Sequence, residues 1–544
     1  MESPVPGKGQ GTGGGLARWI HVAKTAFLGA VLFLLLAPLV AVAAGLTDAE
    51  KRGKRVYMEG KGRKKISAFL LSAGIKAPGA AFPCINCHLA AGTGQLEGGV
   101  QSADVTWFTM TKEFSGKRPS GRVHPAYDEE SLMAAITSGL DPAGNELDSA
   151  HPRYEMERED LKDLVAYIRV MDREPVPGVT DNEIRVGILL PEKGPLAEAG
   201  REVRSLLSGY FDEVNARGGL YSRSIVLVPV SFDPYREDGA LQVTRAAVES
   251  EEIFCFLANA GGRADDESAR YLSSKGIPVI VPLLSAPESG YGAGRYTFHV
   301  FASIRDQARV MVDFLAERLK APGNRVGLLY AEDNIGKGGA EGAREQAGKY
   351  DLALDPELTF TAGNFSAVEA VTRLRGKSVD AVLYFGGPRE AMAFAREAER
   401  LLWRPLFVAP APMVGDALTS APSGFLGSVY LASPLTAPDP GSRKMEEFFR
   451  LGEKNGVGKG HRTFQFLAYS GALLLEEGLK RTGKGLTREK LVDSIGNVWK
   501  LETGVTPPLT YTPNRRAGAL GAAILKVDPE ARRYIPATPW REPR

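Results

Sequence analysis

The chain has 544 residues, too many for one hydrophobic core and enough for two or three compact units. Its 67 basic and 65 acidic side chains leave a formal net charge of only +2, which argues against a nucleic-acid-binding surface.

From the N-terminus, a Gly-rich and charge-poor start leads to Arg18 and Lys24. An apolar run from Thr25 to Ala44 follows, closing on the small residues Ala41, Val42, Ala43 and Ala44. This order is that of a secretory signal, so the bulk of the chain is expected in the periplasm. The run is also long enough to span a bilayer, and an uncleaved inner-membrane anchor is the alternative for residues 1–45.

Cys84, Ile85, Asn86, Cys87 and His88 spell C-x-x-C-H. In this pattern two thiols add to the vinyl groups of a haem and the histidine takes the iron, so one covalent haem c is expected, held by Cys84, Cys87 and His88. The plainer reading is a thiol or disulfide pair beside a surface histidine. Downstream, Glu97 to Val100 reads as a glycine turn, Val105 to Trp107 as an apolar wall, and Asp128 as a helix cap. Leu161, Leu164, Val165 and Ile168 share one face of a helix predicted over Asp160 to Met171, just after the segment Ala150 to Met156.

On these residues, 46–172 resembles the single-haem class I cytochromes c, specifically those with a Met-Pro-x-Tyr loop before an acidic-Leu-x-x-Leu-x-Ala-Tyr helix. The resemblance implies a small all-α electron-transfer domain whose distal iron ligand is the Met before Pro. This chain has His151 there, which makes His88 and His151 the expected iron ligands and lowers the expected reduction potential. Met156 is the alternative ligand, with Met133 and His124 behind it. An iron with no sixth side chain would be open to small ligands.

Glu174, Pro175, Val176, Pro177 and Gly178 mark a linker, taken as 173–182. From 183 to 544 short apolar runs alternate with amphipathic helical patterns, beginning with Ile184 to Leu190, which predicts parallel sheets covered by helices on both faces. Cys255, between Phe254 and Phe256, reads as a buried strand thiol. Such sheets take ligands beyond the carboxyl ends of their strands, here Pro191 to Gly194, Asn259 to Gly262, Leu284 to Ala286, Tyr330 to Asn334 and Phe385 to Gly387. Gly261 and Gly262 admit close backbone approach, or simply make tight turns.

Over this region Ile184 to Gly194, Asp212 to Gly219 and Tyr330 to Gly336 resemble type I periplasmic binding proteins of the branched-chain amino acid receptor kind that serve ABC importers. The resemblance implies two α/β lobes joined by three crossings, near Phe298 to Ser303, Val429 to Leu435 and Tyr511. It also implies a small organic solute, amino-acid-like or not, held by Ala260, Gly261, Gly262, Ser285, Tyr330, Asp333 and Gly386. Gly262 falls where a hydroxyl residue is usual and Ser285 keeps the second hydroxyl. Asp333 is placed to hold an ammonium group, or to cap a helix. The order of the two domains resembles a group of exported bacterial fusions.

Two functions are expected on these grounds. One is a periplasmic solute receptor carrying haem for electron transfer with a periplasmic redox partner and an ABC permease; the other is a cytochrome whose second domain docks or senses. No nucleophile–base pair, phosphate loop or paired-carboxylate motif points to an enzyme.

Overall fold

The computed structural model describes residue 1 and residues 46–544, apart from 95, 98, 113–121, 195, 237–238, 261–262, 284–293, 320–323, 362 and 436–441. The apolar run before residue 45, and with it the signal-or-anchor assignment, lies outside the described residues. So do Gly261, Gly262 and Ser285. The described chain forms two compact units, the first containing residues 46–84 and 111–170 and the second residues 85–110 and 171–544.

The first unit is built on two helices, α1 (Asp48–Glu59) and α2 (Glu129–Thr137), then a third, α3 (Arg158–Ile168). Thr47 and Glu50 form a reciprocal capping box at the start of α1, and Gly60 ends it in the left-handed conformation. α1 crosses α3 where Gly53 has no side chain: a Cβ there would lie 1.9 Å from the Asp163 carbonyl oxygen. Tyr57 and Tyr167 meet edge to face beside this crossing, 5.6 Å between ring centres. The buried Asp163 carboxylate takes Arg52 Nε at 2.7 Å and Arg63 Nη2 at 2.6 Å. Buried Asp160 accepts from the Arg63 backbone N–H at 2.9 Å, which fastens the loop after α1 onto α3.

The all-α class expected for this unit does not hold. β1 (Ser67–Leu70) pairs antiparallel with both β2 (Ile75–Pro78) and β3 (Arg153–Glu155) in a three-stranded sheet of order β2-β1-β3. Strands of three and four residues carry at most two alternations, too few to stand out against a helix-rich background.

The segment 85–110, expected within the first domain, groups with the second unit. Met171 seats there against Gly92, where a Cβ would fall 2.9 Å from the thioether sulfur.

The rest of the second unit is α/β. Its six-stranded sheet uses β4 (Glu183–Pro191), β5 (Ser224–Phe232), β6 (Cys255–Leu257), β7 (Val279–Ile280), β8 (Thr297–Phe301) and, from the far end of the chain, β14 (Ala517–Ala519). Its seven-stranded sheet uses β9 (Val326–Ala331), β10 (Leu354–Phe360), β11 (Ala381–Phe385), β12 (Leu406–Pro410), β13 (Val429–Ser433), β15 (Ala523–Asp528) and β16 (Arg533–Pro536). The orders are β14-β8-β7-β6-β4-β5 and β10-β9-β11-β12-β13-β15-β16; among the described residues every pairing in them is parallel except the last two of the second sheet. β11 and β13 are buried along their whole length, as strands covered on both faces must be.

The helices of this unit include α4 (Ala197–Ala216), α8 (Asn334–Ala347), α11 (Arg443–Lys454) and α12 (Arg462–Thr482). α5 (Gly239–Ser250), α6 (Arg263–Ser274), α7 (Ile304–Arg318), α9 (Ala367–Gly376), α10 (Pro388–Arg400) and α13 (Arg488–Ile495) complete the layers. The chain passes between sheets after Phe301, after Ser433 and between Ala519 and Ala523. The third crossing therefore comes later than the expected Tyr511, which is buried in the first lobe with its hydroxyl donating to the His299 carbonyl at 2.9 Å. Cys255 is fully buried, and burial pushes its thiol up to about 12, so it is an inert core residue.

Candidate functional site

The C-x-x-C-H motif occupies a single helical turn, Ile85–His88, preceded by Cys84. Cys84 is half-buried and Cys87 exposed, and neither is in a disulfide. Leu89 leaves the turn at φ 61°, and the following loop is cross-braced by Gly94 N–H to the His88 carbonyl at 3.1 Å and Val105 N–H to the Gly92 carbonyl at 2.7 Å. Asp104 collects the backbone N–H and hydroxyl of Thr106 and the hydroxyl of Thr109, which fixes the wall that starts at Val105.

His88 Nδ1 lies 2.8 Å from the Ala103 carbonyl oxygen. A carbonyl only accepts, so Nδ1 carries the proton and Nε2 keeps its lone pair, the state in which imidazole binds a metal. Desolvation of the half-buried ring holds it below the ordinary histidine range. The donor set therefore suits haem iron on this side. Sequence alone does not reveal Ala103, because its carbonyl is aimed by an irregular loop.

In the first unit, His151 follows a turn in which its N–H donates to the Asp148 carbonyl at 3.0 Å, and its ring faces Arg153. Met156 is half-buried and Met133 buried on α2. His124 turns Nδ1 to the Pro125 carbonyl at 2.8 Å and packs on Tyr127.

The other expected site lies at the strand ends of the second unit. β6 and β7 end in register at Leu257 and Ile280, and each next residue, Ala258 and Val281, is left-handed at φ 55°. This kink carries the chain into the loops. The Ala260 N–H donates to the Leu189 carbonyl at 2.8 Å, and the Leu283 N–H to the Asn259 carbonyl at 2.6 Å. Asn259 and Ala260 are buried, so the described part of the loop is a braced platform. The left-handed pair is not legible in the sequence, since alanine and valine give no sign of it.

In the second lobe Asp333 caps α8, its carboxylate accepting the Gly336 N–H at 2.7 Å while the side chain stays exposed. Gly386 ends β11 in a tight seat, where a Cβ would fall 2.5 Å from both the Phe360 ring and the Tyr384 hydroxyl. Tyr330 is used differently from the expectation. Its hydroxyl accepts from Arg344 Nη2 at 3.1 Å, and Arg344 in turn grips Glu357, so the ring belongs to the face covered by α8. Strand parity explains this: Val326 and Leu328, the residues that alternate with Tyr330, pack in the same helix-covered core. Among the described residues there is no cluster of three or more His, Cys, Asp or Glu that could hold a metal ion, and no helix is long and apolar enough to cross a membrane.

Comparison with known proteins bears on this second site. Residues 183–532 match the family model described as periplasmic binding protein. A Leu/Ile/Val-binding protein of Rhizobium johnstonii is 22% identical over 332 residues, 59% of this chain and 86% of the relative. An amino acid binding protein of Pseudomonas aeruginosa is 24% identical over 278 residues, 50% of this chain and 72% of the relative. Among solved structures, a fatty acid ABC transporter substrate-binding protein from Thermomonospora curvata superposes with a TM-score of 0.53 at 19% identity, covering 67% of this chain and 94% of that one. A branched-chain amino acid ABC transporter protein from Thermus thermophilus with bound valine superposes at 0.51 and 18% identity, covering 66% and 97%. At these identities the structures speak for the fold. With the matched region spanning more than half of the sequence and the two-sheet topology in place, the chain belongs to the periplasmic binding protein family.

Proposed function

We propose that the chain is an exported receptor for a small, amino-acid-like organic solute that serves an ABC permease, and that it also carries one covalent haem c exchanging electrons with a periplasmic redox partner. Family membership supports the solute half, together with the braced strand ends at Ala258 to Ala260 and Val281 to Leu283. The names of the relatives put Leu, Ile and Val first among solutes to test, and the fatty acid receptor keeps other apolar carboxylates in the panel. Asp333 is the candidate partner for an ammonium group, using the carboxylate oxygen left over from its cap.

The observation that carries the haem half is the Nδ1 contact of His88 with Ala103, within the C-x-x-C-H turn. Cys84 and Cys87 would hold the porphyrin and His88 its iron; the bound group would supply one-electron chemistry.

Two measurements test the two halves separately. A solute at about a hundred times its dissociation constant adds roughly 2.7 kcal/mol to the unit that binds it, so a panel of aliphatic amino acids and carboxylates should shift one unfolding transition. No shift across the panel would transfer weight to a docking role for the second unit. Covalent haem is expected on denaturing gels of the exported chain and is lost in Cys84→Ser/Cys87→Ser; a haem-free exported chain would remove the electron-transfer half.

A further inference from the structure

Residues 533–544 lie beyond the region matched to the family model, and part of this stretch runs over two of the three crossings between the lobes. After β16 the chain turns back onto β15, where the Ala537 N–H donates to the Ile524 carbonyl at 2.7 Å and the Ile524 N–H to the Thr538 hydroxyl at 3.0 Å. At the second crossing the Trp540 indole N–H donates to the Pro434 carbonyl at 3.2 Å. At the third, Ala522 and Arg541 exchange both backbone hydrogen bonds, at 3.0 and 3.1 Å. Gly521 permits this approach, since a Cβ there would fall 2.1 Å from the Arg541 carbonyl oxygen.

The side chains of this stretch are divided between the lobes. Trp540 packs against the core of the first lobe, and the Glu542 carboxylate accepts from Arg515 Nη2 at 2.8 Å. Arg515 is itself fixed to the first lobe, donating to the Ala517 and Gly518 carbonyls of β14 at 3.1 and 2.8 Å. Arg541, between the two, is directed to the second lobe, as alternation along an extended segment allows, and its Nη1 meets both oxygens of Glu317 on α7 at 2.8 Å. Arg544 adds its N–H to Asp313 Oδ2 at 2.9 Å and its Nη2 to Glu317 Oε1 at 2.8 Å. Consecutive Cα atoms are only about 3.8 Å apart, so three successive residues that grip two lobes leave little slack for one lobe to turn against the other. Hinge closure is absorbed by a few residues at such crossings, and here those crossings are bridged. We propose that residues 540–544 form a strap that latches the two lobes at the hinge: changing the angle of the cleft requires Trp540 and Glu542 to part from the first lobe, or Arg541 and Arg544 from the second. A solute that selects a different lobe angle works against this latch, so strap release and solute affinity are linked. The strap rests on the two-lobed fold, not on the identity of the solute or on the haem.

The test is pulsed dipolar electron paramagnetic resonance on the full chain, with spin-labelled non-canonical amino acids at Glu249 of α5 and Thr372 of α9, one exposed position on each lobe. The wild type is expected to give a single narrow distance distribution. Glu542→Lys, which sets a cation against Arg515, and Trp540→Ala are each expected to shift or widen it, and Glu317→Gln to do the same from the side of the second lobe. Glu542 is exposed, so its reversal leaves the fold intact, and a wild-type distribution in both Glu542→Lys and Trp540→Ala would overturn the proposal. A second readout uses the unaltered chain: hydrogen exchange should find the Ala522 and Arg541 amides as slow as those of the neighbouring β15. Exchange of these two amides at the rate of an open loop sinks the strap.

Discussion

Ala258 and Val281 sit side by side at the ends of β6 and β7, and both are left-handed at φ 55°. A β-branched residue in that region is an outlier, with a strain on the order of 1–3 kcal/mol that the surrounding fold must over-determine. Both residues are fully buried, and helix α12 packs Gly471 against Val281 and against Leu257, the neighbour of Ala258.

Gly471 is therefore the position at which the kinked pair can be tested. A Cβ on it would fall 2.9 Å from Leu257 and 3.1 Å from Val281, so Gly471→Val must push Val281 and the end of β6 outward. We expect a loss of about 1–3 kcal/mol in the unfolding free energy of the second unit, with weaker solute binding. Denaturant titration with and without solute reads both; wild-type stability in the variant would mean that α12 has room to retreat.

Asp333 allows cap and ligand roles to be separated. Asp333→Ala is expected to cost about 1 kcal/mol by removing the acceptor for Gly336 N–H. Asp333→Ser restores the cap and hence the stability, but not the charge. If an amino acid is the solute, its affinity in the serine variant should drop by about tenfold or more, the scale of a charge-assisted hydrogen bond. Calorimetric titration showing unchanged affinity would confine Asp333 to capping.

Acid stability of the second unit should depend on Glu213. Arg450 and Lys454 of α11 bond to its carboxylate on α4 and hold it down to about 2, below the ordinary glutamate range. A depressed carboxylate stabilises the fold above its unfolded-state value near 4.5, and this contribution fades as pH falls from there towards 2. Both cations are more than half exposed and the pair is screened by solvent, so the effect is roughly 1 kcal/mol or less. Glu213→Gln should therefore lower stability at neutral pH by that amount and flatten the acid limb; parallel limbs would show that the pair is screened out.

The first unit has its own weak point at Gly53. With Asp163 carbonyl oxygen 1.9 Å from a would-be Cβ, Gly53→Val cannot be accommodated without parting α1 from α3. A loss of about 3 kcal/mol or more is expected for this unit. Scanning calorimetry should show one transition collapse while that of the second unit stays in place.

Long periodic elements of this chain are readable from the sequence, and local oddities are not. Ile184 to Leu190 announces a buried parallel strand, and Leu161, Leu164, Val165 and Ile168 announce a helix face, because burial imposes a period. The hairpin of β1 and β2 escapes because four-residue strands hold too little pattern. Tyr330 stands at a strand end, which points to the crevice, but alternation puts its ring under α8. The partner of the His88 ring, the Ala103 carbonyl, is supplied by backbone geometry. No residue type signals that in advance.

The pairing of β8 with β14, His299 opposite Ala517, has a consequence for biogenesis. The first lobe cannot complete its sheet from contiguous sequence, since the intervening chain builds the whole of the second lobe apart from its closing hairpin. During N-to-C translocation β8 therefore presents an unpaired edge until Ala517–Ala519 emerges. An exposed strand edge of that duration is where misassembly begins and where a holding chaperone would act.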